Sequence, residues 1–410
     1  MRALLVLCLL LAGSVQAADI VLTGGTVYGA PDLPPLADAV VVIHDQRIAS
    51  VGPRAFVRIP KDARILDCSG KSITAGFWNS HVHILTPGLL HASAGSAVEL
   101  NSQLDQMLNR WGFTTVFDIA SSLDHTHALR RRIDSGEIRG PRILTVGEPL
   151  WTKAPVYVSD FLETNHIRIS IVATPKEAAA RVGTLEKSGV DGIKLFTGSV
   201  QGAGQVANMP LDMVRAATAE AHRHHLPVFA HPQNTAGLEA AIAGGVDILA
   251  HTVPQSPPWT PDLAARIKGA HMALIPTLTL FDVESRKAGD SDRDREELIA
   301  KVVDELRVFF QAGGEIIFGT DVGYTDHFDT AMEFTLMSRA GMSLRQILAS
   351  LTTVPAQRFG SSGHSGRVAD GMDADLVVLD GNPAQDITAL SRVEFVVRGG
   401  KILYSARILQ

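Results

Sequence analysis

Eight short apolar runs punctuate residues 75 to 360, and most are followed by a stretch long enough for a helix. The runs are FWNSHVHI, TTVFDIA, RILTVGEPL, GIKLFTG, PVFAHP, ILAHTV, ALIPTLTL and IIFGTDVG. Amphipathic segments such as LDMVRAATAEAHRHH and TAGLEAAIAGG lie between them. Strand-like runs alternating with helical periods predict a parallel sheet with crossover helices. Eight repeats over a span near the usual ~250 residues predict closure into a (β/α)8 TIM barrel, an α/β fold. Thr260-Pro261-Asp262 reads as a helix cap followed by Pro at the first helical position.

The two ends of the chain have a different texture. ADIVLTGGTVYG, AVVVIHDQRIASVG and ARILDCSGKSITAG at the start are short β-rich runs divided by turn residues. ADLVVLDGNP and VEFVVRGGKILY at the end match that texture, and VRGGKILY resembles VLTGGTVY. The ends are therefore expected to pair into one small, discontinuous β-sandwich domain, residues 18–74 with 361–410, around a barrel over 75–360. Hydrophobic residues make up 46% and charged residues 20%, which excludes a disordered chain.

The first seventeen residues, MRALLVLCLLLAGSVQA, read as a cleavable export signal. Arg2 supplies the positive start, Leu4 to Ala12 the apolar centre, and Val15-Gln16-Ala17 the small-x-small cleavage pattern. The apolar run is far shorter than the ~20 residues of a spanning helix, so no stable membrane anchor is expected after cleavage, and the location is periplasmic or secreted. Cys8 leaves with the signal, and Cys68 then has no partner for an internal disulfide. A net charge of −6 and the lack of a long basic stretch argue against nucleic acid as a partner. Asp282–Glu297 is expected to be a solvated loop and helix start. A small molecule is the expected partner, and a homo-oligomer is compatible with the sequence.

The chemistry sits at the strand ends. His81 and His83 are spaced i, i+2, which puts both imidazoles on one face of a strand. Lys194 is a cation inside an apolar run. His231 and His251 each end a run on Ala-His, and Asp321 ends the last one. Any one of these has an ordinary structural explanation: a core histidine, a helix cap, a paired lysine. Together they are six coordinating groups at the ends of five strands, and in a barrel those ends meet at one mouth. Imidazole nitrogen and carboxylate oxygen suit Zn2+, with Fe, Mn, Co and Ni as competitors. A desolvated Lys194 beside two dications would lose its proton. As a neutral amine it could add CO2 and become a carbamate able to bridge two metals.

These residues resemble the amidohydrolase superfamily, in its imidazolonepropionase-like and metal-dependent prolidase-like branch. The resemblance rests on AGFWNSHVH, GFTTVFDIA with GEIRGPRIL, GIKLFTGS, VFAHP, DILAHT, GTDVG and GRVADGMDADLVVLD, and it covers essentially the whole chain after the signal. It implies that His81 and His83 bind a first metal and that His231 and His251 bind a second. Lys194 is the carboxylated bridge, and Asp321 contacts the first metal and moves protons. The sequence departs from the family pattern twice. Trp78-Asn79 stands where Ile-Asp is usual, so Asn79 cannot serve as a charged acceptor behind the ligands. The Gly-Gly-His segment of many prolidase-like members is absent after the third run, where GEPLWTKAPVYVSDFLE stands instead.

The implied reaction is hydrolysis of a carboxamide-type C–N bond by a hydroxide bridging two divalent metals, Zn2+ foremost. Small peptides, N-acyl amino acids and cyclic amides are the candidate substrates. The alternatives are a lactone or ester hydrolase on the same site, a mononuclear deaminase, and a periplasmic binding protein with a vestigial site. The deaminase pattern places a Glu soon after the fifth-run His, whereas Pro232, Gln233 and Asn234 follow His231 here. Trp151, Tyr157, Trp259 and Phe281 are candidate pocket walls, and Lys153 a candidate contact for a substrate carboxylate.

Overall fold

The computed structural model describes residues 19–156, 158, 164, 169–202 and 204–407; the expected export signal and Tyr157 lie outside them. The chain begins with β1 (Ile20–Tyr28), β2 (Leu36–His44), β3 (Arg47–Pro53), β4 (Arg64–Asp67) and β5 (Ser72–Ala75). Next come β6 (Phe77–Val82), β7 (Phe113–Asp118), β8 (Arg142–Thr145), its continuation β9 (Leu150–Trp151) and an edge strand β10 (Ser170–Ile171). β11 (Ile193–Phe196), a hairpin of β12 (Gly198–Val200) and β13 (Val206–Asn208), β14 (Val228–His231), β15 (Ile248–Leu249), β16 (Ala273–Leu274) and β17 (Glu315–Ile316) follow. β18 (Leu376–Leu379), β19 (Val393–Arg398) and β20 (Lys401–Ser405) end the chain.

Two parallel arcs make the barrel: β6-β7-β8, and β9-β11-β14-β15-β16-β17. Asp191 N donates to Thr145 O at 2.7 Å and ties β8 towards β11. Across the other seam Ser80 N donates to Phe318 O at 2.8 Å and Asp321 N to His81 O at 2.9 Å. The ring thus holds eight strand positions in chain order, as the alternation predicts. Its strands are short and buried on both faces; all six residues of β6 and all four of β11 are buried. Helices cover the outside, which is why the runs read as nearly continuous apolar stretches.

The barrel interior is filled by Phe117, Phe229, Ile248, Ala273, Ile275 and Ile317. Phe359, just past the helix Thr353–Arg358, closes the end where the strands begin. Its ring lies 5.7 Å from Trp78, 5.0 Å from Phe117 and 6.2 Å from Phe229. The opposite end, where the strands finish, is left for a site.

The two chain ends join in one eight-stranded sheet, ordered β20-β19-β18-β5-β1-β2-β3 with β4 beside β1. The joint is the antiparallel pairing of β5 with β18, Ala75 opposite Leu376. Leu22, Val41 and Ile73 from the start share one core with Leu376, Val378 and Phe395 from the end. Cys68 is buried there, and burial pushes its thiol up to about 12, so it is an inert packing residue.

One run folds differently from its expected form. β16 covers only Ala273–Leu274, and the TLTL of ALIPTLTL enters a helix, Leu278–Ala288. Pro276 offers no amide to a ladder, and Thr277 turns the chain with φ 46°. Much of the charged run 282–297 is likewise helical and not loop. Asp282–Ala288 completes that helix, and a second, Asp292–Gln311, begins after three residues. Its charges pair along the helix surfaces: Asp282 with Arg286 at 2.6 Å and with Arg295 at 3.3 Å.

Candidate active site

All six residues singled out from the sequence line one cavity of about 420 Å3 at the C-terminal ends of the strands. His81 is the next-to-last residue of β6 and His83 lies just past its end. Their Nε2 atoms lie 3.3 Å apart. His83 Nδ1 donates to Ala120 O at 3.0 Å, which leaves Nε2 unprotonated in the neutral ring and turned to the site.

Ala120 belongs to the loop after β7, and a buried carboxylate holds that loop. Asp118 accepts from the hydroxyls of Ser121, Thr126 and Thr145 at 2.5, 2.8 and 3.0 Å. Ser121 Oγ in turn accepts from Ile84 N at 2.8 Å. Burial raises the Asp118 pKa, against these hydrogen bonds. Sequence reasoning missed Asp118, although it is the last residue of β7 within the run TTVFDIA.

Asp321 sits in the left-handed region at φ 61°, a turn that brings its carboxylate back over the histidines. Oδ1 is 2.7 Å from His83 Nε2 and 3.1 Å from His81 Nε2, and Oδ2 is 3.8 Å from His251 Nε2. The turn depends on the glycines of GTDVG. A Cβ on Gly323, at φ 98°, would lie 1.8 Å from His83 O, and one on Gly319 2.7 Å from His81 Cβ.

On the far side, His251 Nδ1 lies 2.8 Å from Thr277 Oγ1. The His231 ring stands edge-on to His251, 4.7 Å between centroids, and its Nε2 lies 3.0 Å from Gln233 Oε1. β11 and β14 run in register with Phe196 beside His231, so the two rings stack at 4.6 Å. Lys194 points to the same side of β11 as Phe196, with Nζ 5.5 Å above that ring. It is 1% exposed and has no ion pair among the described residues. Burial pulls its pKa down to about 7, with Asp321 pulling the other way. Burial likewise lowers His81 to about 4 and His231 to about 3, and puts His251 well below its ordinary value. Burial pushes the Asp321 carboxyl up, but the His81 and His83 rings outweigh it and hold the pKa well below the usual range.

The result is a cluster of lone pairs facing one another. His81, His251 and Asp321 each offer a ligand atom within 4.8 Å of the others. Asp321 Oδ1 is buried and has no well-aligned hydrogen-bond donor among the described residues, despite two imidazole nitrogens within about 3 Å. Imidazole nitrogens and a carboxylate oxygen converging on one buried point are the donor set of a divalent metal, so these residues fit a bound metal.

Asn79 does not touch the imidazoles. Its Oδ1 accepts from His81 N and Thr320 N, both at 3.2 Å, and its Nδ2 donates to Thr320 Oγ1 at 2.7 Å. It is a neutral clamp across the β6 seam, and its amide supplies a donor that a carboxylate lacks. Trp151 and Phe281 line the cavity as expected from sequence. Trp259 does not: it is buried against Phe309, rings edge-on at 6.2 Å. Lys153 is exposed and outside the lining. Helix Leu278–Ala288, unforeseen in the sequence, adds Leu280, Glu284 and Ser285 to the wall.

Comparison with known proteins gives the family and the fold. Residues 72–403 match the Amidohydrolase family pattern. An ochratoxinase from Aspergillus niger is 23% identical over 90% of this chain and 83% of its own. A solved prolidase complexed with N-methylphosphonate-L-proline superposes with TM-score 0.73 at 26% identity, covering 94% of this chain and 99% of that one. A Xaa-Pro dipeptidase with bound methionine gives TM-score 0.79 at 22% identity, over 95% and 100%. With four-fifths of its length matching the pattern, the chain belongs to the amidohydrolase family, hydrolases of carbon–nitrogen bonds.

Proposed function

We propose that this chain is a metal-dependent hydrolase that cleaves an amide bond in a small substrate with an apolar substituent, outside the cytoplasm. The observation that carries the metal is the convergence of buried His81, His83 and His251 on the Asp321 carboxylate, whose Oδ1 has no well-aligned hydrogen-bond donor among the described residues. His81, His83 and Asp321 would hold one divalent ion and His231 and His251 a second, Zn2+ being the best match to nitrogen and oxygen donors. Bound metal supplies two things here, polarisation of a carbonyl and activation of water near neutral pH. Burial pulls the Lys194 pKa down to about 7, which favours the free amine that carboxylation by CO2 requires.

The remaining steps belong to the side chains. Asp321 stands at the centre of the cluster, where it can take a proton from the attacking water and return it to the leaving amine. The Ala120 carbonyl fixes the ring of His83. Trp151, Phe196, Leu280 and Phe281 give the cavity an apolar wall, which supports selection of an aromatic or aliphatic group beside the scissile bond. The deaminase reading is disfavoured because the first acid after His231 is Glu239, which is paired with Arg266 on an exposed helix face.

The test is hydrolysis of a panel of N-acyl aromatic amino acids, capped aromatic amides, Xaa-Pro dipeptides and lactones, before and after chelation. Amide turnover that is lost on chelation and restored by Zn2+ is the expected result. Turnover of lactones alone moves the assignment to an esterase, and activity indifferent to chelation overturns the metal.

A further inference from the structure

Thr277 is an unusual residue for its place. It is β-branched, fully buried and held at φ 46°, ψ 49°, a left-handed conformation that such side chains avoid. It follows Pro276 at the end of the seventh barrel strand and opens helix Leu278–Ala288 without capping it. The cap comes from elsewhere. Glu333, fully buried on helix Ala331–Arg339, accepts from Leu278 N at 2.8 Å, Thr279 N at 2.7 Å and Thr279 Oγ1 at 2.7 Å. Those bonds pin the two residues after Thr277, so the strained turn is over-determined.

The turn directs one hydroxyl. Thr277 Oγ1 has a single proton and donates it to Pro276 O at 2.9 Å. With that proton on Pro276 O, its lone pairs are left to accept from His251 Nδ1, 2.8 Å away. A neutral imidazole with its proton on Nδ1 presents Nε2 as a lone pair, and Nε2 is the atom facing Asp321. We propose that Thr277, locked in this turn by Glu333, is a positioning residue that fixes the tautomer and ring orientation of His251 and thereby sets the affinity of the metal site His251 serves. The inference rests on the metal-site reading above and adds a determinant outside the ligand set. The same helix carries Leu280, Phe281 and Glu284 into the cavity wall, so the ligand and the substrate wall share one anchor.

The experiment is Zn2+ titration of the full chain against a competing chelator, with thermal unfolding of the metal-free protein alongside. Thr277→Val removes the hydroxyl at nearly constant shape; Thr277→Ala serves should valine not fold. Either is expected to weaken the His251-dependent Zn2+ by ~10–100-fold, the range for losing a group that orients a ligand. Thr277→Ser restores the acceptor and is expected to restore the affinity, which a purely structural role for the side chain would not require. Unchanged Zn2+ affinity in the valine or alanine variant, beside tight binding in the wild type, overturns this inference alone. Absence of tight Zn2+ in the wild type overturns the metal site and the inference with it.

Discussion

Glu305 offers a stability test on the element that supports His251. It is 1% exposed on helix Asp292–Gln311. One oxygen accepts from Val253 N at 2.7 Å, and the other, Oε1, is buried without a partner among the described residues. Lys301 on the same helix donates to Pro254 O and to Ser256 O at 2.7 Å, so this helix face holds the loop that follows His251. Burial pushes the Glu305 carboxyl up to about 8 from an ordinary 4.5, with the Val253 amide and Lys301 pulling it down. The folded state thus keeps a proton that the unfolded chain releases. Its contribution is fully present below pH 4.5 and is lost as the pH rises through about 8. Between pH 5 and pH 8 the loss is about 3–4 kcal/mol. Glu305→Gln keeps an acceptor for Val253 and cannot ionise. Thermal unfolding of metal-free protein across that range should show the variant gaining on wild type by a few °C at pH 8 relative to pH 5. Parallel curves would show that Glu305 does not titrate in this window and would refute the reasoning.

Asp321→Asn keeps the shape and one oxygen but cannot take a proton. It should fold normally by circular dichroism and lose at least ~10³-fold in turnover, mainly in kcat; near-native kcat would mean another group is the base. With no Gly-Gly-His segment and Lys153 outside the cavity, no strict Xaa-Pro requirement is expected. A specificity profile dominated by Xaa-Pro dipeptides would contradict that. Leu7→Arg should break the apolar centre of the expected export signal and hold an uncleaved precursor in the cytoplasm, as read by fractionation and N-terminal mass.

The six residues that meet in the cavity were legible because strand ends advertise themselves. His81, His83, Lys194, His231, His251 and Asp321 each interrupt or end an apolar run, and the parallel barrel gathers such positions at one mouth. Asp118 carried the same signal and was passed over, because a lone acid after a strand has no partner visible in sequence. Thr277 and Glu333 gave no signal. They lie 56 residues apart, and their link is a buried carboxylate on backbone amides, which no periodicity reports. The seventh run misled because TLTL is β-branched and apolar in pattern, yet Pro276 and a distant cap commit it to a helix. Trp259 misled for a plainer reason: a loop tryptophan can pack inward on Phe309 as readily as it can wall a cavity. Asn79 stands in the sequence as a neutral residue in a usually acidic place. Its actual use, bridging His81 and Thr320 across the barrel seam, depends on a closure that the sequence states only by its count of strands.

The central claim is a metal site built on the six strand-end residues, and metal content tests it most directly. The wild-type chain, prepared with ample Zn2+ and bicarbonate and freed of loose ions, should hold close to two metals by elemental analysis. Its Lys194 should carry the added mass of a carbamate under conditions that preserve it. Lys194→Ala should lose at least one metal, and short carboxylic acids should restore part of it by standing in for the carbamate. Saturation at a single metal with Lys194 unmodified would contradict the two-metal account, and a wild-type chain that retains no metal would contradict the site altogether.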